Sequence, residues 1–271
     1  MSAESASNAA LLAIARKIAT TAATLAKTRR AEGVKIAASK SSAEDIVTFA
    51  DRETEALIRS LIAKERPGDG FLGEESGAEV GSSGLTWVVD PIDGTVNFLY
   101  GIPHYAVSIA VVEGEPDPST WRALAGAVVN PASGELYTAV AGGGAFLGER
   151  SIRVAPAVEL SQVLVGTGFA YLADIRSEQA ATLGALIHQV RDIRRMGTAS
   201  LDLCAVACGR LNAYYERELN PWDHAAGALI AREAGARVGG LRGKAESREF
   251  ILAAEPTVAA RLEEVLLEIG T

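Results

Sequence analysis

Three short segments place carboxylates where a chain folding only for stability gains nothing from them. The first is Gly73-Glu74-Glu75-Ser76-Gly77, directly after a short apolar run. The second is Trp87-Val88-Val89-Asp90-Pro91-Ile92-Asp93-Gly94-Thr95-Val96-Asn97-Phe98, in which a Val-rich run ends on one acid and a second follows after a proline. The third is Asn220-Pro221-Trp222-Asp223-His224-Ala225-Ala226-Gly227. Like charges as close as Asp90 and Asp93 repel unless a cation joins them. Pro91 fixes φ and Gly94 permits a tight turn, so both acids can be aimed at one point. Hard oxygen donors of this kind suit Mg²⁺, which also takes water and phosphate oxygens. The backbone carbonyl of Ile92 is placed to complete such a shell. Glu74 stands at another strand end, and Asp223 in the first turn of an apolar helix. Plainer readings exist: an Asp-rich turn for Asp90 and Asp93, and a favourable helix dipole for Asp223. Taken together, Glu74, Asp90, Asp93 and Asp223 suggest a two-metal site with ions roughly 3.5–4 Å apart.

The elements that must hold these acids follow from periodicity. Leu11, Leu12, Ile14, Ala15, Ile18, Ala19, Ala22, Leu25 and Ala26 recur at helical spacing, with Gly33 as a stop. Residues 38–44 read as a loop. A second helix spans 48–65, opened by a Thr48 and Asp51 cap and closed by Pro67-Gly68. Strands follow at 71–72, 86–89, 106–112, 124–129 and 135–140, and Gly142, Gly143 and Gly144 break the chain. The first half is therefore expected to be helices on a mostly antiparallel sheet. Beyond it, strands at 163–165, 213–215 and 250–252 alternate with helices at 177–190, 200–207, 222–234 and 257–269, an α/β layering. Two subdomains are expected, 1–141 with most of the acids and 142–271 with Asp223. Nothing in the sequence repeats and no Pro-rich linker separates them, so they should share an interface.

Bulk properties narrow the function classes. The chain has 271 residues, 48% hydrophobic and 22% charged, with a formal net charge of −8. A globally acidic chain is a poor binder of a phosphate backbone, so no nucleic-acid partner is expected. Cations between its carboxylates and a small anionic substrate would still allow binding. No uninterrupted apolar run reaches about 18 residues, so no membrane span is expected. The start, Met-Ser-Ala-Glu, lacks the basic and apolar segments of a secretory signal. Cys204 and Cys208 share a helix face as core residues, and a cytoplasmic location is the default. His104, His188 and His224 read as packing or surface residues. Arg191, Arg194 and Arg195 read as a solvated or subunit-facing surface.

Gly-Glu-Glu, then Asp-Pro-Ile-Asp-Gly-Thr-Val-Asn-Phe, then Trp-Asp-His-Ala-Ala-Gly, in this order and spacing, resembles the signature set of the inositol monophosphatase family. The likeness runs from Lys40-Ser41-Ser42 to the C-terminal helix. The fold it implies is a layered αβαβα sandwich of the sugar-phosphatase type. It implies that Glu74, Asp90, the Ile92 carbonyl, Asp93 and Asp223 ligate roughly two or three Mg²⁺ ions per site, with Mn²⁺ as a substitute and Li⁺ as an inhibitor. Asp45 matches the acid that works with Thr95 on the attacking water, and Glu74 counts among the catalytic residues. Gly94 and Thr95 offer N–H groups to the phosphate. Asp93, Asp223 and the Gly197-Thr198-Ala199 stretch line the substrate. Glu216 accepts hydrogen bonds from substrate hydroxyls. The family also implies a homodimer.

The expected reaction is hydrolysis of a small phosphate monoester by metal-activated water, without a phospho-enzyme. Inositol 1-phosphate leads because Gly197-Thr198-Ala199 and Glu216 resemble the inositol-selective branch; a phosphorylated amino alcohol, histidinol phosphate, is the runner-up. Bisphosphates would ask for a basic cluster that the sequence does not display. A partner role in a transcription or RNA-processing assembly is the alternative from another class. Residues 113–122 read as a surface excursion and 239–249 as a short polar loop.

Overall fold

The computed structural model describes residues 3–39 and 46–270. The chain opens with the long helix α1 (Ala3–Glu32), the hairpin strands β1 (Ile36–Ser39) and β2 (Ile46–Thr48), and α2 (Phe49–Glu65). Thr48 caps α2. Its backbone N–H donates to Asp51 Oδ2 at 2.8 Å, and its hydroxyl accepts the Asp51 N–H at 3.4 Å. Next come β3 (Gly70–Gly73), β4 (Gly77–Glu79), β5 (Leu85–Asp93), the short α3 (Thr95–Tyr100), β6 (Ala106–Glu113), β7 (Arg122–Val129), β8 (Leu136–Val140), β9 (Gly144–Leu147) and β10 (Arg150–Ile152). The remainder is β11 (Leu164–Thr167), α4 (Ala173–Leu186), β12 (Asp192–Arg194), α5 (Ala199–Ala207), β13 (Ala213–Glu216), α6 (Pro221–Glu233), β14 (Arg237–Gly239), β15 (Ile251–Ala254) and α7 (Pro256–Ile269).

Eight strands form the first sheet in the order β10-β9-β8-β7-β6-β5-β3-β4, and five form the second in the order β12-β11-β13-β15-β14. The first is antiparallel except for the β3–β5 pair. Strand alternation divides its two faces. Trp87, Val89, Ile109, Val111, Ala125 and Ala127 pack under α1 and α2, against Leu11, Ala15, Ile18, Ile58 and Ile62. Val88, Ala110, Val128 and Ala139 face the other way, onto Cys204 of α5 and Ala225, Ala226, Leu229 and Ile230 of α6. The opposite side of α5 meets the second sheet through Leu203, Val206, Tyr214 and Ile251. Helices α4 and α7 cover that sheet's far face, where Leu186, Leu262 and Leu266 are buried. The layers are therefore α, β, α, β, α, as the family resemblance implies.

Several details depart from the sequence reading. Ala38 and Ser39 lie in β1, where a loop is predicted; the rest of that loop lies outside the described residues. The first sheet continues past the Gly142–Gly144 break into β9 and β10, and β12 and β14 are further strands without a sequence signal. By length and composition, 7–32 in α1 is apolar enough to cross a membrane, because alanines and threonines fill it between the charges. Its Leu11, Ala15, Ile18 and Ala22 stripe is nonetheless buried against the protein's own sheet, and Ala26 against Ala50, Ile92 and Phe98.

Candidate active site

The carboxylates converge where β3 and β5 end and α6 begins. Strand β5 breaks register with β6 between Asp90 and Asp93, and this irregularity turns both acids toward the same cleft. Asp90 Oδ1 accepts the Ile92 N–H at 3.0 Å, fixing the Pro91 turn. Asp90 is 2% exposed and Asp93 is 7%. One oxygen of Asp93 accepts both the Ser200 N–H at 2.8 Å and the Ser200 hydroxyl at 2.5 Å, so the start of α5 anchors it. Gly94 then turns with φ +88°, where a Cβ would stand 2.5 Å from Thr198 Oγ1. Only glycine combines that dihedral with so close an approach.

Thr95 opens α3, and its hydroxyl lies 3.1 Å from the Ile92 carbonyl and 3.2 Å from Asp51 Oδ1. Among the described residues, the acid that meets Thr95 is Asp51. Asp45, which the resemblance put in that place, lies outside the described residues. Asp51 escaped the sequence reading because it looks like a helix-capping residue, and it is one. The same carboxylate serves both ends. Glu74 follows β3, and its N–H donates to the Val89 carbonyl at 3.3 Å. Buried Glu55 braces the turn from behind by accepting the Glu75 N–H at 2.8 Å.

Asp223 caps α6: its Oδ2 accepts the Asn220 N–H at 2.6 Å. It also lines the cleft with Glu74, Asp90 and Asp93, so capping the helix does not keep it from facing the cleft. On the opposite wall Glu216 ends β13, and the Tyr214 hydroxyl donates to it at 2.5 Å. The two halves are bolted together at this point. Buried Asn97 donates through Nδ2 to the carbonyls of His104 at 2.7 Å and Met196 at 2.8 Å, and Thr198 Oγ1 donates to the His104 carbonyl at 3.0 Å. Gly197, Thr198 and Ala199 are thereby held against Gly94 and line the cleft. No sequence signal marks Asn97 or Ser200 as supports, because their partners are far away in the chain.

Electrostatics identify what the floor can hold. Burial, then the charges of Glu74, Asp93 and Asp223, pushes Asp90 well above the ordinary carboxylate range. Burial lifts Asp93 to about 7 against the hydrogen bonds from Ser200. Asp223 is driven up by burial and by Glu74 and Asp93. The leading influences on these three acids are burial and neighbouring carboxylates, with hydrogen bonds from Ser200 on Asp93 and from Asn220 on Asp223 acting the other way. No three His, Cys, Asp or Glu side chains among those residues close into a cage. The acids instead face an open cleft of about 920 Å³. An oxygen-only, acidic and open donor set fits Mg²⁺, which retains water and substrate oxygens as ligands.

The bland readings mostly hold. His224 is fully buried near Trp121, and burial holds it neutral, with a pKa of about 4. His188 is exposed, Cys204 is buried, and both cysteines are free. The basic run divides. Arg191 and Arg194 stay on the surface, but Arg195 lines the cleft with Arg176, Arg217 and Arg248. Sequence reading missed this cluster because each member comes from a different segment. Arg248 belongs to the 239–249 stretch, which therefore reaches the site.

A family model described as the inositol monophosphatase family matches residues 7–269. The chain is 44% identical over 273 residues to the inositol-1-monophosphatase of Mycobacterium leprae, covering 93% of this chain and 91% of that protein. The chain belongs to the inositol monophosphatase family. It is accordingly a phosphomonoester hydrolase, in a family that generally depends on metal ions. Solved structures of this family share its fold. The extragenic suppressor protein suhB of Bartonella henselae matches with a TM-score of 0.87 at 35% identity, over 95% of this chain and 98% of that one. Mycobacterium tuberculosis SuhB matches with a TM-score of 0.81 at 44% identity, over 97% of each.

Proposed function

We propose that this inositol monophosphatase family member hydrolyses inositol 1-phosphate to inositol and phosphate, with Mg²⁺ held by Glu74, Asp90, the Ile92 carbonyl, Asp93 and Asp223. The observation that carries the reading is the set of enclosed, mutually repelling acids Asp90, Asp93 and Asp223 facing one cleft. Bound there, Mg²⁺ would polarise the phosphate and make water more acidic.

The chain's own groups supply the rest. Thr95 Oγ accepts a proton from the attacking water while passing its own to Asp51, 3.2 Å away. Burial first, and then the charge of Glu74, places Asp51 at about 7 against the bonds from Thr48, which suits a proton acceptor near neutral pH. The water oxygen joins phosphorus, the ester bond breaks, and the leaving alcohol oxygen takes up a proton. Gly94 and Thr95 present backbone N–H groups at the turn. Glu216, oriented by Tyr214, accepts hydrogen bonds from ring hydroxyls. A ring rich in hydroxyls uses that acceptor more fully than the amine and imidazole of histidinol phosphate.

Phosphate release from both substrates, with Mg²⁺, with EDTA and with Li⁺, tests the reading. Mg²⁺-dependent and Li⁺-sensitive release led by inositol 1-phosphate is the expected result. A lead for histidinol phosphate would overturn the substrate and keep the reaction. Silence on both would favour an unassayed substrate or a partner role.

A further inference from the structure

We propose that Gly168 is a specificity-determining residue of this site, leaving room for the Glu216 carboxylate to stand where the ring hydroxyls of a substrate are read. The proposal rests on the reading of Glu216 as the hydroxyl acceptor and names what seats it. Gly168 acts through Glu216 and is a positioning residue.

Strand register explains why the two residues meet. β11 runs parallel to β13, with Gly166 opposite Tyr214 and Thr167 opposite Tyr215. Gly168 follows Thr167 as Glu216 follows Tyr215. Neighbouring strands lie about 4.8 Å apart, and residues two apart share a face. Gly166 and Gly168 therefore flank Tyr214 and Glu216. Tyr214 leans into the first gap: a Cβ on Gly166 would stand 3.3 Å from its Cδ2 and 3.7 Å from Asp202 Cγ. Glu216 fills the second gap. A Cβ on Gly168 would fall on both carboxylate oxygens and the Cδ of Glu216, far inside van der Waals contact. Gly168 is not among the glycines with positive φ, so glycine is needed here for space and not for backbone freedom.

The surroundings give the carboxylate no second place to retreat to. The Tyr214 hydroxyl donates to its Oε2 at 2.5 Å. Arg195, which lines the cleft, attracts it. Asp202 of α5 repels it. That acid is 1% exposed, and its Oδ1 has no hydrogen-bond partner among the described residues. Toward α4, Gly168 and Glu216 line a cavity of about 10 Å³, room for roughly one water. A methyl group at position 168 therefore drives the carboxylate off the Tyr214 hydroxyl and into the cleft, which both residues also line. Displaced there, it no longer matches the hydroxyls that it accepts. Substrates that use this acceptor lose affinity, and a substrate without hydroxyls does not depend on it.

The test measures kcat and KM of the Mg²⁺-loaded enzyme for inositol 1-phosphate and for 4-nitrophenyl phosphate, whose leaving group carries no further hydroxyl. Wild type, Gly168→Ala, Glu216→Ala and the double variant are compared, with a circular dichroism melt of each. In Gly168→Ala the ratio of kcat/KM for inositol 1-phosphate over 4-nitrophenyl phosphate should fall about tenfold, through KM, as for one charged hydrogen bond lost. Its melting temperature should fall as well. Added to Glu216→Ala, the same substitution should lower neither the ratio nor the melting temperature further, because the short side chain leaves the space open. An unchanged ratio in Gly168→Ala, with or without an equal loss on both substrates, would overturn the proposal. So would a further fall of the ratio in the double variant. Should Gly168→Ala fail to fold, a folded double variant would support the clash with Glu216, and an unfolded one would overturn it. An unchanged ratio in Glu216→Ala would remove Glu216 as the hydroxyl acceptor and this proposal with it, while release by the wild type kept the hydrolytic reading. No release from either substrate would overturn the site itself.

Discussion

Asp51 carries two duties, which is why the sequence hides one of them. Its Oδ2 closes the cap on α2 and its Oδ1 receives the Thr95 hydroxyl. Thr95→Ala should therefore lower kcat by about 10²- to 10⁴-fold while changing KM little, the loss typical of a proton-transfer group. Steady-state kinetics on inositol 1-phosphate check this. Asp51→Asn should show a comparable loss in kcat while keeping the shape of the cap. A wild-type kcat in either variant would remove the relay from the mechanism. Glu216→Gln should instead raise KM for inositol 1-phosphate, because its role is to accept ring hydroxyls.

At the scale of elements, one asparagine couples the halves. Asn97 donates to carbonyls from both sides of the cleft, His104 and Met196. Asn97→Ala leaves the Met196 carbonyl without this donor and the His104 carbonyl with Thr198 Oγ1 alone, and should cost about 1–3 kcal/mol in a denaturant melt. It should also lower kcat/KM, since Gly197 and Thr198 lose their register against Gly94. Gly94→Ala should be destabilising by a similar ~1–3 kcal/mol, from its dihedral and from the Thr198 hydroxyl. The helices were legible because their apolar stripes are long. The central strands were legible because two-sided burial makes continuous Val and Ile runs. Strands such as Arg150-Ser151-Ile152 and Asp192-Ile193-Arg194 were not, being short, polar and defined only by their neighbours. The three acid segments stood out because each breaks an apolar run. Asn97, Ser200 and the arginines lining the cleft did not, because only the folded chain brings their partners near.

For the whole molecule, the acid cluster links stability to pH and to cations. Asp51, Asp93 and Glu216 each have a folded value of about 7, above that of an unfolded carboxylate. Burial leads in all three. The folded chain therefore binds more protons than the unfolded chain between roughly pH 4 and 7. Stability contributed by these groups is complete at the acidic end and is lost as pH rises through about 7. EDTA-treated protein should thus melt at a higher temperature at pH 6 than at pH 8. The slope should be at most about 1.4 kcal/mol per pH unit for each group, and less for Glu216, whose edge meets cleft water. Adding Mg²⁺ should raise the melting temperature most at pH 8, flattening the profile, because the ion stabilises the ionised forms. A pH-independent melt in EDTA would contradict this linkage.

The most direct test of the central claim is phosphate release from inositol 1-phosphate by the wild-type enzyme and by Asp90→Asn, each at saturating Mg²⁺. Removal of one floor carboxylate should abolish turnover while the protein stays folded by circular dichroism. Wild-type turnover in Asp90→Asn would mean that the acid floor is not where the ester is cleaved.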